Sequence, residues 1–156
     1  MNSGKITPSP CVEFKQKSAL IKIITIIKKY ESKMMTLLEA SIKSLPNSQL
    51  IHAGGCGYKV LSVIDGEADA YIYPSAGLMK WDTCATEAIL RSLNGSLTDV
   101  FNNEYVYFHK EKTMVEEPYG VIASLSPSNS FYERILGDEL KELVQDQAKS
   151  FAIKNS

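Results

Sequence analysis

Apolar side chains recur along this chain at two different spacings. Residues 19–27 are dense in isoleucine, and β-branched side chains fit a pleated surface, so the run predicts a buried strand. From Ser32 the spacing changes. Met35, Leu38, Ile42 and Leu45 fall three or four apart, on one helical face, and Pro46-Asn47 stops the pattern. A short strand over 49–53 leads into a glycine turn. A two-turn helix over 58–65 follows, with Val60, Leu61 and Ile64 inward and Gly66 as its cap. Residues 68–73 read as a strand closed by Pro74.

Beyond Gly77 the chain reads Lys80-Trp81-Asp82-Thr83-Cys84-Ala85. Ala85, Ala88, Ile89 and Leu93 then give an apolar helical face that ends at Asn94-Gly95. Asp82 is expected at the N-cap, its carboxylate accepting a first-turn amide at the positive end of the helix dipole. Trp81 is expected to anchor the preceding loop by packing. Short strands over 96–100 and 104–109 flank a turn at Asn102-Asn103, a charged loop covers 110–118, and 121–125 is a strand. One last helix runs from a cap at Ser128 or Ser130 to about 152, with Ile135, Leu140, Leu143 and Val144 facing the core. Gly137 weakens it by about 1 kcal/mol relative to alanine. Strand and helix alternate, which predicts an α/β domain over 19–152, three-layered with a mixed sheet. Residues 1–18 are expected to be a disordered leader, polar at its start with Pro8 and Pro10.

Charge removes several classes of partner. Lys and Arg total 17 against 18 Asp and Glu, a net charge of −1, so there is no electrostatic case for nucleic acid or an anionic membrane. The apolar run at 20–27 is far shorter than the ~20 residues a membrane helix needs, and Lys22 interrupts it. Three cysteines, Cys11, Cys56 and Cys84, form no Cys-x-x-Cys pair. That argues against a disulfide framework or structural zinc and suits a reducing, cytoplasmic setting. Cys84 is expected to be a buried structural thiol.

Two stretches carry candidate chemistry. Gly54-Gly55-Cys56-Gly57 lets backbone approach a ligand and aims free amides at it, a geometry that binds phosphate. Lys59 adds a compact positive charge for a phosphate oxygen. Asp82 is read as a helix cap or, alternatively, as a carboxylate facing a cleft and holding a cation. If the strands before both loops run parallel, both open at the carboxyl ends, where α/β sheets place ligands. His52, His109 and the Glu116-Glu117 pair are ordinary polar positions, the pair lying in a solvated loop.

Trp81-Asp82-Thr83-Cys84-Ala85, Gly95-Ser96-Leu97-Thr98-Asp99, Gly54-Gly55-Cys56-Gly57-Tyr58-Lys59 and 64–72 together resemble the lithium-sensitive, magnesium-dependent phosphatases of the inositol monophosphatase superfamily. Within it they are most similar to the C-terminal half of the 3′(2′),5′-bisphosphate nucleotidases. The resemblance implies a phosphomonoesterase that uses Mg²⁺, is inhibited by Li⁺, and converts adenosine 3′,5′-bisphosphate to AMP. It implies Asp82 as a metal ligand and Gly55 and Lys59 as substrate contacts. Two departures stand out. The family's upstream glutamate and its Asp-Pro-x-Asp-Gly-Thr segment have no counterpart here, so no catalytic residue is assigned in this chain. Where the family has a Thr-x-x-His pattern contacting nucleotide, this chain has Ile27 and Tyr30; Tyr30 is retained as a weak base-stacking contact. The chain alone is therefore expected to be inactive, to lack the N-terminal metal-binding half as a partner, and to expose an apolar patch near 20–27. An inositol polyphosphate 1-phosphatase, or a non-catalytic nucleotide- or partner-binding domain, is the alternative.

Overall fold

The isoleucine run forms β1 (Ile21–Thr25), and α1 (Lys33–Lys43) begins where the Ser32 hydroxyl accepts the Met35 amide. The computed structural model describes residues 20–26, 32–107, 116–117 and 119–154, with backbone alone at 116–117 and 151–154. The expected leader over 1–18, Tyr30 and His109 lie outside them. After α1 come β2 (Ser48–His52), α2 (Cys56–Ile64), β3 (Ala70–Tyr73), β4 (Leu78–Met79), α3 (Lys80–Ser92) and β5 (Ser96–Thr98). They are followed by β6 (Glu116–Glu117), β7 (Val121–Ser124), α4 (Ser130–Ile135) and α5 (Asp138–Lys154).

Five strands form one mixed sheet in the order β2-β1-β3-β7-β5. β1 pairs parallel with β2 and β3, while β7 runs antiparallel to both β3 and β5. The two-residue side-chain period sorts each strand between two cores. Ile23, Ala70, Ile72 and Ile122 meet Met35, Leu38 and Ile42 of α1 and Leu140 and Val144 of α5. Ile24, Tyr71, Leu97, Val121 and Ala123 meet Val60 and Val63 of α2 and Leu90 of α3. The result is the three-layer α/β arrangement that the alternation predicts.

Several local expectations are corrected. α2 starts at Cys56, and its inward face is Lys59, Val60, Ser62 and Val63, while Leu61 is exposed. Its end is as expected: Gly66, in the left-handed region at φ 77°, donates to the Val63 carbonyl while the Glu67 amide bonds the Ser62 carbonyl. The last helix breaks in two. Leu136 leaves helical geometry (ψ 94°) and is fully buried, and α5 restarts after Gly137. Asn129 takes the N-cap position of α4 in place of a serine.

Of the strand expected over 104–109, Glu104 alone among the described residues 104–107 pairs, in a bridge with Thr98. The turn before it is closed by Asp99, whose carboxylate accepts the Phe101 and Asn103 amides. Glu116 and Glu117 pair antiparallel with Met79 and Leu78, so they form a small second sheet where a loop was expected. Among the described residues of the stretch expected to expose an apolar patch, β1 is an interior strand with Ile23 and Ile24 buried, and Leu20 before it is exposed.

Candidate functional site

Because β2 and β3 are both parallel to β1, the loops after His52 and after Tyr73 open at the same edge of the sheet. Each loop delivers a helix N-terminus there. In the first, Gly55 precedes α2 with φ 72°, a left-handed conformation that glycine adopts without strain. The first-turn amides of α2, which have no helical carbonyl to meet, point out of this turn. Gly57 has open space around its missing Cβ, so of the turn's glycines Gly55 is required by backbone geometry.

Lys59 follows one turn later and turns inward. It is only 4% exposed, and its ammonium lies 4.7 Å from the Tyr71 ring centroid, a cation–π contact. Burial pulls this ammonium below the ordinary lysine range, against the opposing pull of Cys56 and Asp82. The Cys56 thiol is pushed up by burial, an effect the Lys59 charge partly offsets. The Tyr71 phenol is held well above its usual range by the same burial. The two loops therefore converge on one electrostatic cluster of Cys56, Lys59, Tyr71 and Asp82.

Asp82 does not occupy the N-cap. Met79 does, and Asp82 sits at the third helical position, where Oδ2 accepts the Met79 amide at 2.9 Å. This is the carboxylate half of a capping box, and it fixes the side chain at the sheet edge. The helix behind it packs opposite to expectation. Ala85, Ala88 and Ile89 are exposed, while Thr83, Thr86, Glu87 and Leu90 are buried. The threonine hydroxyls bond back to the Lys80 and Thr83 carbonyls, which lets polar side chains line the interior. Trp81 is 57% exposed, where a packed loop anchor was expected, and Cys84, expected buried, is exposed as well.

Glu87 carries no sequence signal, yet it is 4% exposed and organises the site's outer wall. Arg91 Nε donates to its Oε1 at 2.7 Å, and the Tyr107 hydroxyl donates to Oε2 at 2.6 Å. Tyr107 lies 3.2 Å from the Thr83 hydroxyl, and Arg91 also reaches Glu104 at 3.4 Å. Segment 104–107 is thereby tied to the helix that starts with Asp82.

Among other carboxylates, Asp69 accepts the Lys22 amide and Asp99 holds its turn, while Asp65 stands at the C-cap position of α2. His52 Nδ1 bonds the Ile26 carbonyl oxygen. Among the described residues, no group of three or more His, Cys, Asp or Glu could hold a metal ion. A concavity of about 360 Å³ lies between α1 and the β2 edge, lined by Glu39, Lys43 and Leu50 among others, and includes neither Lys59 nor Asp82. Among the described residues no helix is long and apolar enough to cross a membrane.

Residues 4–139 match the model of the inositol monophosphatase family. The chain is 33% identical over 123 residues to rat 3′(2′),5′-bisphosphate nucleotidase 1, a match covering 79% of this chain and 38% of the rat protein. It is 40% identical over 63 residues to mouse inositol polyphosphate 1-phosphatase, covering 40% of this chain and 16% of that one. The fold superimposes on a staphylococcal IMPase-II with a TM-score of 0.58 at 16% identity, covering 84% of this chain and 47% of that structure. The chain thus spans well under half the length of the curated relatives and just under half of the solved structure.

Proposed function

This chain belongs to the inositol monophosphatase family, and we propose that it is the C-terminal part of a phosphomonoesterase of the 3′(2′),5′-bisphosphate nucleotidase type. The observation that supports the reading is that parallel β2 and β3 aim the Gly55 turn and the loop before Asp82 at the same end of the sheet, with the Asp82 charge felt by Lys59. In this reading the Gly55 turn presents amides to a phosphate of adenosine 3′,5′-bisphosphate. Lys59 supplies positive potential from beneath, and Tyr30 stacks on the base. Asp82 contributes one oxygen to Mg²⁺, which when bound acts as a Lewis acid on the phosphoryl oxygen. Mg²⁺ demands near-octahedral oxygen coordination, so the remaining ligands and the base that activates water come from outside the described residues. A nucleotidase is favoured over an inositol polyphosphate phosphatase because the nucleotidase match covers twice as much of the chain. The unpaired cysteines, with Cys84 exposed, suit a reducing compartment.

Asp82→Asn tests the assignment. The amide oxygen still accepts the Met79 amide, so the helix persists, while a neutral ligand is much poorer for a hard cation. Mg²⁺-dependent stabilisation is expected in the wild type and absent in Asp82→Asn; a melting shift retained by the variant refutes the ligand role. The 156-residue chain alone should release no phosphate from adenosine 3′,5′-bisphosphate with Mg²⁺. A water-positioning base is worth roughly 10²–10⁴-fold by itself, so clear turnover would show that the machinery lies within this chain.

A further inference from the structure

The loop that delivers Asp82 is held by the C-terminal helix. Leu140, Val144 and Ala148 lie four apart on α5 and are buried, so packing fixes which way this helix faces. Gln147 stands on the flank of that buried stripe. Its Oε1 accepts the Ala76 amide at 3.0 Å and the Ser75 hydroxyl at 3.1 Å. A backbone N–H only donates, so the atom facing Ala76 is the oxygen of the glutamine and not its nitrogen. Ala76 is gripped on its other side as well, where the Tyr73 hydroxyl donates to its carbonyl at 3.3 Å. Both backbone polar groups of this residue are therefore pinned, one by the strand before it and one by a side chain 71 residues further along.

The link from Ala76 to the site is short. Gly77 is exposed with φ 113°, a conformation open to glycine that lets the chain pivot there. Two residues later Met79 gives its amide to Asp82 Oδ2 at 2.9 Å. β6 steadies Leu78 and Met79 from one side, while Gln147 holds the far end of the link at Ala76. The match to the family model ends at residue 139, before Gln147, so this brace lies outside the matched segment.

We propose that Gln147 is a positioning residue for Asp82. By holding Ser75 and Ala76 it fixes where the Gly77 pivot begins and, through Met79, where the Asp82 carboxylate points. The consequence for a bound cation rests on the reading of Asp82 as a metal ligand given above; the consequence for the loop does not. Hydrogen-bond partners behind a metal ligand change metal affinity by about 10–100-fold when they are lost. Gln147 acts through three residues of backbone, so its effect belongs at the low end of that range.

The test uses the full 156-residue chain and three variants. Gln147→Met keeps the side-chain length and removes the acceptor, whereas Gln147→Glu keeps an oxygen for both donors. Ser75→Ala removes one donor and leaves α5 untouched. Amide exchange followed by NMR reads the loop with no ligand present. The Met79 amide, which Gln147 does not touch, is compared with core amides of β7, which report opening of the whole fold. Relative to those, Met79 should exchange about five- to tenfold faster in Gln147→Met, the equivalent of one hydrogen bond. Ser75→Ala should give a smaller rise, and Gln147→Glu a rate close to the wild type. The Mg²⁺ concentration at half-maximal stabilisation in thermal melts then reads the site. It should rise about tenfold in Gln147→Met and return toward the wild-type value in Gln147→Glu. Met79 exchange that changes only in step with the β7 amides overturns the proposal and leaves Gln147 a contributor to global stability. A Gln147→Glu chain as loose as Gln147→Met overturns it too, since the acceptor oxygen would then be irrelevant. If Mg²⁺ stabilises Asp82→Asn as well as the wild type, the ligand reading fails, and Met79 exchange still decides the brace.

Discussion

Lys59 should reduce the stability of the fold it sits in, and Lys59→Met is the way to see it. Methionine keeps the length and most of the volume, so no cavity opens next to Val60 and Tyr71. The substitution gives up the cation–π contact with Tyr71, worth ~2 kcal/mol when desolvated. It also relieves the penalty of a charge that is 4% exposed, and effective penalties of this kind run to several kcal/mol per ion. Burial wins over the attraction of Cys56 and Asp82, since the ammonium is pulled below its normal range. The net expectation is a gain of about 1 kcal/mol at pH 7, at the low end for removing buried charge. That corresponds to ~2–4 °C in Tm for a chain of this size.

The pH dependence gives the sign independently. Below the lowered folded pKa, Lys59 is protonated in both states and the full penalty is present. Between that value and the unfolded 10.5, the unfolded chain binds one more proton, so wild-type stability rises with pH. The advantage of Lys59→Met should therefore shrink as pH climbs through this window. Urea unfolding at pH 7 and at steps toward pH 10.5 measures both effects, and nucleotide titration should show the variant binding more weakly. A variant less stable than wild type by 1 kcal/mol or more, with a pH-independent difference, would refute the account of Lys59 as a strained functional charge.

Three further outcomes follow from the geometry. Tyr107→Phe removes a bond to a buried carboxylate and should cost about 1.5–2 kcal/mol, several times the ~0.3–0.5 kcal/mol expected for Glu87 with half-exposed Arg91; equal effects of Tyr107→Phe and Arg91→Met in urea unfolding would contradict this. Asn129 is fully buried, accepting the Ser124 hydroxyl at 2.6 Å and donating to the Ile122 carbonyl at 2.8 Å and the Thr98 hydroxyl at 3.1 Å. Asn129→Leu should lower stability by about 3 kcal/mol, because each buried group left unpaired costs about 1–3 kcal/mol, and a loss under 1 kcal/mol would be inconsistent with that network. Cys84, exposed, should react with a thiol reagent well before Cys56, whose thiol burial pushes up; Cys84→Ser should slow the first modified position mapped by mass spectrometry, and modification of Cys56 at the same rate would show that its burial is not protective.

The sheet was legible because β-branched runs and glycine punctuation are local signals. Ile23 and Ile24, Gly66, and the strand 121–125 fall where their chemistry puts them. The helix of the Trp-Asp motif was misread for a physical reason. Its apolar periodicity is real, but Ala85, Ala88 and Ile89 mark the uncovered side. The interior side is Thr83, Thr86 and Glu87, whose polarity is satisfied by carbonyls one turn back and by Tyr107. Such satisfaction depends on a partner 20 residues away, which no window along the chain can contain. Lys59 was placed correctly at the start of a helix, but its inward turn depends on the Tyr71 ring from a different strand. The break at Leu136-Gly137 was foreseen only as a weak point, because the pull that burial of Leu136 exerts on the backbone is tertiary.

The packing of α5 against α1 has a consequence for how this protein is made. Met35, Leu38 and Ile42 share one cluster with Leu140 and Val144, so an early segment waits for one about a hundred residues later. Translation adds ~5–20 residues per second, which leaves that side of the sheet uncovered for several seconds on the ribosome. The opposite side closes sooner, since α2 follows β2 directly and α3 follows β3 after the two-residue β4. A nascent chain stalled before residue 138 would show a finished face and a raw one, and chaperones that bind exposed aliphatic surface would find it there.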